Sequence, residues 1–352
     1  MIRNYSILVL ISLTLICMSV FADEAYTPME IPVVVVKYFP VKGDTIDINV
    51  TGDWGKRLEF TRHKTDSITL RLTQVLENAS RYHAYKNPQA MPSVTYRIVK
   101  TYEFLEPLPI VKKIFRKTPM TDYKTIVERI GGREWVEEKG VKEIWLWGYH
   151  GGKVGLWESN MAGPYGDVSN SNRDEDDLPV YKNTYTFYHY NYQRGLSEAV
   201  EDHMHQTEAV LNFVDGRDVT SKAGRDVTSK ALWDTLLFWG KFVGSDASHK
   251  IVTPHCGWAH YPPNAVRDYD WANKTYVLTD MEDWKPDGSG EKKRVNCERW
   301  NCSSLDWFTL WFQSLPGKDN GLSYKGKELT NWWIFIGDWD GAMKKGLKLV
   351  EN

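Results

Sequence analysis

Short apolar runs and helical stripes alternate along this chain. Residues Ile31 to Phe39 are almost uniformly apolar and include four successive valines, Val33 to Val36. So short and β-branched a run reads as a strand buried on both faces. Ile46, Ile48 and Val50 then alternate with polar residues, which predicts a second, more exposed strand. From Ser67 to Tyr82 the period changes: Ile68, Leu72, Val75, Leu76 and Ala79 share one side of a helix, with Asp66 placed to cap it. A strand from Val94 to Phe104 follows. Next come a helix over Asp122 to Lys139, interrupted at Gly131-Gly132 and stopped by Gly140, and a buried strand from Val141 to Trp147. Thr184 to Tyr192 reads as a polar-aromatic strand. Gly195 to Val214 reads as a helix with Leu196, Val200, Met204, Leu211 and Val214 on its apolar face.

This order predicts an α/β fold with a largely parallel central sheet covered by helices on both faces. In such folds ligands usually sit in long loops at the carboxyl ends of the strands. From Pro254 the chain becomes loop-rich. With no flexible linker before it, residues 255–352 read as an elaboration of one α/β domain spanning 23–352. The octapeptide Gly-Arg-Asp-Val-Thr-Ser-Lys-Ala occurs twice, from Gly216 to Ala231. Eight residues are too few for a solenoid unit, so the repeat reads as a duplication in a surface connection.

The first 22 residues change the picture by adding an address. Arg3, an apolar run from Ile7 to Phe21 and Val20-Phe21-Ala22 before Asp23 form a cleavable signal peptide pattern. The expected location is secreted or periplasmic, with no transmembrane segment after signal cleavage. Cys17 follows Ile16 where a lipid-anchor signal needs a small residue, so no anchor is expected. Loss of Arg3 leaves 43 basic against 46 acidic residues, a balance that speaks against nucleic acid as a partner. Export places Cys256, Cys297 and Cys302 where disulfides persist. The nearest pair, Cys297 and Cys302, is the favoured bridge, with Cys256 to either one as the alternative. Sixteen tryptophans are the most unusual feature of the composition. Most must be core, but exported proteins also use such rings against sugars.

Four clusters carry candidate chemistry. After the strand ending at Trp147, a loop of about 35 residues contains Trp157, Glu158, Asn160 and the acidic run Asp174 to Asp177. Glu158 beside an indole is a candidate general acid or base, with a turn cap or arginine partner as the structural alternative. The acidic run lacks the EF-hand spacing and reads as solvated. On the helix, Glu198, Glu201, His205 and Glu208 fall on one stripe, and Glu201 with His205 at i,i+4 can hold a divalent metal. That stripe lies opposite the apolar face, so it is expected to look outward unless the C-terminal part folds over it. His203, nearer the apolar edge, reads as a hydrogen-bonded structural histidine. The third cluster holds Trp258, His260, Asn264, Arg267 and Asp268 in a loop stiffened by Pro262 and Pro263. His260 with Asp268 suits oriented acid–base work, against a rigid structural corner as the alternative. In the aromatic cluster, Trp307 and Trp311 share a helix face and read as core, whereas Trp332 or Trp333 is a candidate sugar-stacking residue.

Trp157-Glu158-Ser159-Asn160-Met161-Ala162-Gly163-Pro164, Asn264 to Trp271, Val295-Asn296-Cys297 and Asn331-Trp332-Trp333 together resemble a group of secreted bacterial proteins with no assigned activity. The likeness spans roughly Val141 to Trp333 and implies export and a shared loop site, with histidine at the positions of His205 and His260. His150, His203 and the repeated octapeptide depart from that pattern. The leading expectation is a secreted hydrolase of an extracellular polymer, most plausibly a glycan. Its acid and base are Glu158 and one of Glu201, His205, His260 or Asp268, a pair of groups astride a cleft as glycoside hydrolysis requires. Trp157, Asn160, Trp258, Asn264, Arg267 and Trp332 are the expected ligand contacts. A metal-dependent hydrolase using Glu201 and His205 is a variant, a non-catalytic adhesion or binding protein is the other class, and the sequence leaves any cofactor open.

Overall fold

In the computed structural model of the protein, residues 26–113, 117–170, 177–216, 236–246 and 250–351 are described. The valine run lies in β1 (Met29–Tyr38), between β2 (Val94–Phe104) and β3 (Glu143–Gly148), both parallel to it. β4 (Ser159–Ala162) is the antiparallel edge strand, and β5 (Tyr185–Asn191) pairs in parallel with β3, giving the order β2-β1-β3-β5-β4. A central strand has both faces covered, which is why Val33 to Val36 can be apolar without a break.

Helices lie on both faces. α1 (Leu58–Ala79) and α4 (Leu196–Val214) cover one, where Trp147 of β3 donates its indole N–H to Thr69 Oγ1 of α1 at 2.8 Å and Tyr188 of β5 stacks on His203 of α4 at 3.9 Å. Phe187 and His189 alternate to the other face and meet Tyr123 of α2 (Tyr123–Arg129). The interruption at Gly131 is real. It adopts φ +71°, and α3 (Gly132–Glu137) starts afresh after it.

Two predicted elements differ. Ile46 to Val50 is not a strand: Thr45–Ile46 pairs with Val41–Lys42 and bridges to Arg57, and the Asp47 side chain then accepts Asn49 N–H at 2.9 Å to cap a single turn, Ile48–Thr51. A local Asx cap outcompetes so short an alternation. α1 begins at Leu58, well before Ser67, and Asp66 lies inside it as the ion-pair partner of the buried Lys37 rather than as its cap. The buried stripe of the early turns is made by Thr61 and Thr65, whose hydroxyls bond back to helix carbonyls, so an apolar count misses it.

At the carboxyl ends of the parallel strands, rings fill the crevice. Tyr192, just after β5, lies 5.8 Å from Phe39, 6.2 Å from Tyr149 and 6.2 Å from Trp54. The usual ligand position of the fold is therefore packed shut. The C-terminal part carries the Cys297–Cys302 disulfide, leaves Cys256 free and buried, and packs α5 (Ser304–Phe312) on α1 and α4. Among the described residues no helix is long and apolar enough to cross a membrane. The signal peptide pattern, nearly all of the octapeptide repeat and Asp174 to Glu175 and Asp176 fall outside the described residues.

Candidate functional site

α4 starts where Glu198 reaches back to the Gly195 N–H at 3.1 Å, which fixes the rotation of the helix in its first turn. With the apolar face on the sheet, Glu201, His205 and Glu208 face the C-terminal part. The stated condition for a site is met, because the C-terminal part folds over this stripe: His205 is only 8% exposed and Glu208 5%. The segment Gly257–His260 closes over it. Glu208 makes the join, because its Oε1 accepts the Ala259 backbone N–H at 2.7 Å while Oε2 meets His205 Nδ1 at 3.2 Å.

The tryptophans hold that segment in place. Indole N–H groups of Trp271 and Trp307 donate to the Ala259 carbonyl at 2.8 and 3.2 Å, and Trp311 donates to Gly257 O at 2.8 Å. Gly257 itself has φ +70°, and a Cβ there would lie 2.4 Å from Tyr261 O, so the turn needs glycine. His260 is thereby delivered to the helix. Its Nε2 lies 3.0 Å from His205 Nε2 and 3.0 Å from Glu201 Oε1, and His205 Nε2 to Glu201 Oε1 is 3.7 Å. Asp268 Oδ1 sits 2.9 Å from His260 Nδ1.

These distances carry chemical content. Each imidazole has a carboxylate at Nδ1, which holds the proton there and turns the Nε2 lone pair inward. Two Nε2 lone pairs and a carboxylate oxygen then face one another, an arrangement that calls for a positive charge between them. For bonds of about 2.0–2.1 Å in a tetrahedral zinc site, donor atoms stand roughly 3.3 Å apart, close to the three spacings here. Glu201, His205 and His260 therefore fit a divalent cation. Burial works against the charge on Glu201, but hydrogen bonds with His205 and His260 outweigh it and hold its pKa down at about 2. Burial also opposes the charge on His205, yet Glu201 and Glu208 drive its pKa well above the ordinary value, with the charge of Glu158 adding to them.

Glu158 joins this cluster from the loop before β4. Asn170 Nδ2 donates to its Oε2 at 2.6 Å, and its charge acts on His205, Asp202 and Tyr269. Asn170 is itself fixed by Gln206 of α4, whose Oε1 also accepts the Ser159 hydroxyl at 2.6 Å. All five acid–base candidates thus belong to one region beside the sheet edge.

The expected ligand contacts divide. Trp258 flanks His260, ring centres 5.2 Å apart, and is part of the region. Trp157 packs against the core, and its backbone N–H donates to the Tyr123 hydroxyl at 2.6 Å. Asn160 is buried, its amide nitrogen donating to Asp177 at 2.7 Å and its Oδ1 without a hydrogen-bond partner. The Asn264 amide nitrogen donates to Asn273 O and Thr275 O at 2.8 Å each, while its Oδ1 is buried without a hydrogen-bond partner. Arg267 points to solvent beside Asp270. Trp332 is 1% exposed, with its N–H on Leu349 O, and Trp333 is 2% exposed, so neither can stack on a sugar. His203 is the structural histidine expected, held by the Tyr190 hydroxyl at 2.6 Å. A residue missed from the sequence is Tyr269, whose ring centre lies 4.0 Å from that of His260.

A cavity of about 260 Å³ lies elsewhere, at the amino-terminal ends of β3 and β5, where Glu143, Tyr188, Val210 and Phe335 line it. Burial there pushes Glu143 up to about 8, so its carboxyl stays protonated. It lacks the converging donors of the His205 cluster, which is therefore the better seat of chemistry. No family model matches the chain, and no curated protein matches it at a significant level.

Proposed function

We propose that this protein is an exported metal-dependent hydrolase whose divalent cation is held by Glu201, His205 and His260. The observation that carries the reading is the convergence of three donor atoms at 3.0–3.7 Å, with a carboxylate behind each imidazole. Structural zinc sites take four protein ligands, whereas three with a vacant position is the pattern of catalytic ones. A divalent cation held by these three residues would supply Lewis-acid chemistry, polarising the scissile group and activating water near neutral pH. Glu158 is the base that takes the proton from that water, and Asn170 orients it. Glu208 and Asp268 hold the two imidazoles in their ligating tautomers.

Export belongs to the same reading, supported by the signal peptide pattern and by a disulfide suited to an oxidising compartment. An extracellular polymer remains the substrate class of choice. The tryptophan argument for a glycan falls away, since those rings are scaffold.

The test is zinc titration of protein stripped with chelator, followed by calorimetry. One equivalent should bind with micromolar or tighter affinity, and His205→Ala and His260→Ala should each weaken it at least about 100-fold. Hydrolysis of a panel of polysaccharide, peptide and ester substrates should depend on the added metal. Failure of the wild type to bind zinc, cobalt or manganese at millimolar concentration would mean that a proton occupies the centre, and the metal reading would be abandoned.

A further inference from the structure

Tyr269 stands at this centre in a conformation that packing does not explain. It has φ +59°, a left-handed backbone that bulky residues rarely adopt, and yet it is 54% exposed. Glycine or asparagine would make the same turn with less strain. The chain is pinned on both sides of it. Asp268 is tied to His260, and the buried Asp270 accepts the Val266 N–H at 3.1 Å and the Asn273 amide at 2.8 Å. Those anchors turn the Tyr269 ring against His260 at 4.0 Å, with Trp271 edge-on at 5.3 Å behind it. The ring carries its hydroxyl into the neighbourhood of His260. Among the hydrogen bonds of the described residues that hydroxyl has no partner. Strain held in place by surrounding structure is typical of functional positions.

We propose that Tyr269 is a catalytic residue of the Glu201–His205–His260 centre, its phenolic O–H donating a hydrogen bond to the oxygen of a ligand bound there. The proposal rests on the reading of the cluster as a metal centre. Hydrolysis concentrates negative charge on an oxygen of the scissile group, and a neutral, preoriented donor stabilises it. A lysine at this place would pair with the surrounding carboxylates instead. The phenol keeps its proton and its freedom to donate.

The probe is acetohydroxamate, an oxygen ligand for zinc, titrated by calorimetry into the zinc-loaded protein, so no substrate need be known. Tyr269→Phe should keep zinc affinity within about threefold and bind acetohydroxamate about 10-fold or more weakly than the wild type, as expected for loss of one hydrogen bond to a charged oxygen. Tyr269→Ala, checked for folding by circular dichroism, should lose no more than about threefold beyond Tyr269→Phe. Equal affinity of the wild type and Tyr269→Phe overturns the donor role, as does a large further loss confined to Tyr269→Ala, which would assign the effect to the ring. A zinc-loaded wild type that takes no acetohydroxamate has a closed centre and also overturns it. Those three results leave the metal reading standing; a wild type that binds no metal removes both.

Discussion

His203 and His205 stand two positions apart on α4 and both are buried, yet their surroundings shift their pKa values in opposite directions. His203 faces the sheet, stacked on Tyr188 and bonded to the Tyr190 hydroxyl, and burial alone pushes its imidazole down to about 3. Glu143 belongs to the same surroundings and is also held neutral by burial. His205 faces the C-terminal loops, where Glu201 and Glu208 reverse the effect of burial and raise its pKa well above the ordinary value. The difference teaches that depth does not set the chemistry of this helix; the number of carboxylates within reach does. One side is built to exclude charge, the other to hold a cation.

The sharpest way to break this contrast is to release the loop that brings charge to α4. Trp311 is fully buried and donates to Gly257 O, so Trp311→Ala removes both a large core ring and one of the ties on the His260 segment. It should cost about 3–5 kcal/mol of stability in urea unfolding. At temperatures where the variant is still folded, zinc affinity should fall with it. A variant that unfolds earlier but binds zinc as tightly as the wild type would show that the indole network does not position His260.

The sheet side is tested through Glu143. Its pKa is about 8 in the fold against 4.5 for the exposed group, so between those values the folded state holds a proton that the unfolded chain has lost. Stability should therefore fall as pH rises from 5 to 8 and level off above, by roughly 3–5 kcal/mol at full effect. Glu143→Gln keeps an acceptor for the Trp145 indole, now 2.7 Å from Glu143 Oε2, and should flatten that slope while raising stability at pH 8. Unfolding midpoints at pH 5 and pH 8 decide it: an unchanged slope in the variant would show that other groups carry the dependence.

Much of the fold can be read from the chain because its strongest periodicities are also its deepest elements. The valine run of β1 and the stripe of α4 each bury one continuous set of side chains. Weaker patterns misled: alternation over Ile46 to Val50 lost to the Asp47 cap, and the threonine turns of α1 carry no apolar mark. Glu201, His205, His260, Asp268 and Glu158 were all identifiable as chemically able, but their meeting was not. A hydrophobic stripe records only the face that apolar residues cover. The other face of α4 is covered by a loop 55 residues away through Glu208 and the Ala259 N–H, a polar contact without periodicity. Trp307 and Trp311 are core as expected, whereas Trp332, a candidate for sugar stacking, is buried with its indole N–H on the Leu349 carbonyl. Tyr269 gave no warning, since nothing in Asp268-Tyr269-Asp270 announces a positive φ until both aspartates are seen tied down.

The smallest expected effect is the most discriminating. Glu208 touches no ligand position, but it joins His205 Nδ1 to the Ala259 backbone. Glu208→Gln is nearly isosteric and keeps an oxygen for one of these bonds, so the fold should survive with little loss. What changes is the charge behind the imidazole, which makes His205 a poorer donor and loosens its tautomer. Zinc affinity should fall about 10- to 100-fold, roughly 1.4–2.7 kcal/mol, measured by competition with a chromophoric chelator. His203→Gln is the matched control on the other side of the helix. It removes a buried imidazole of the same size class, but one that holds no charge and faces no carboxylate pair, and it should leave zinc affinity within about threefold while lowering stability. If both variants lose zinc equally, α4 acts as one rigid unit whose packing sets the site; if only Glu208→Gln does, the carboxylates make the difference between its two sides.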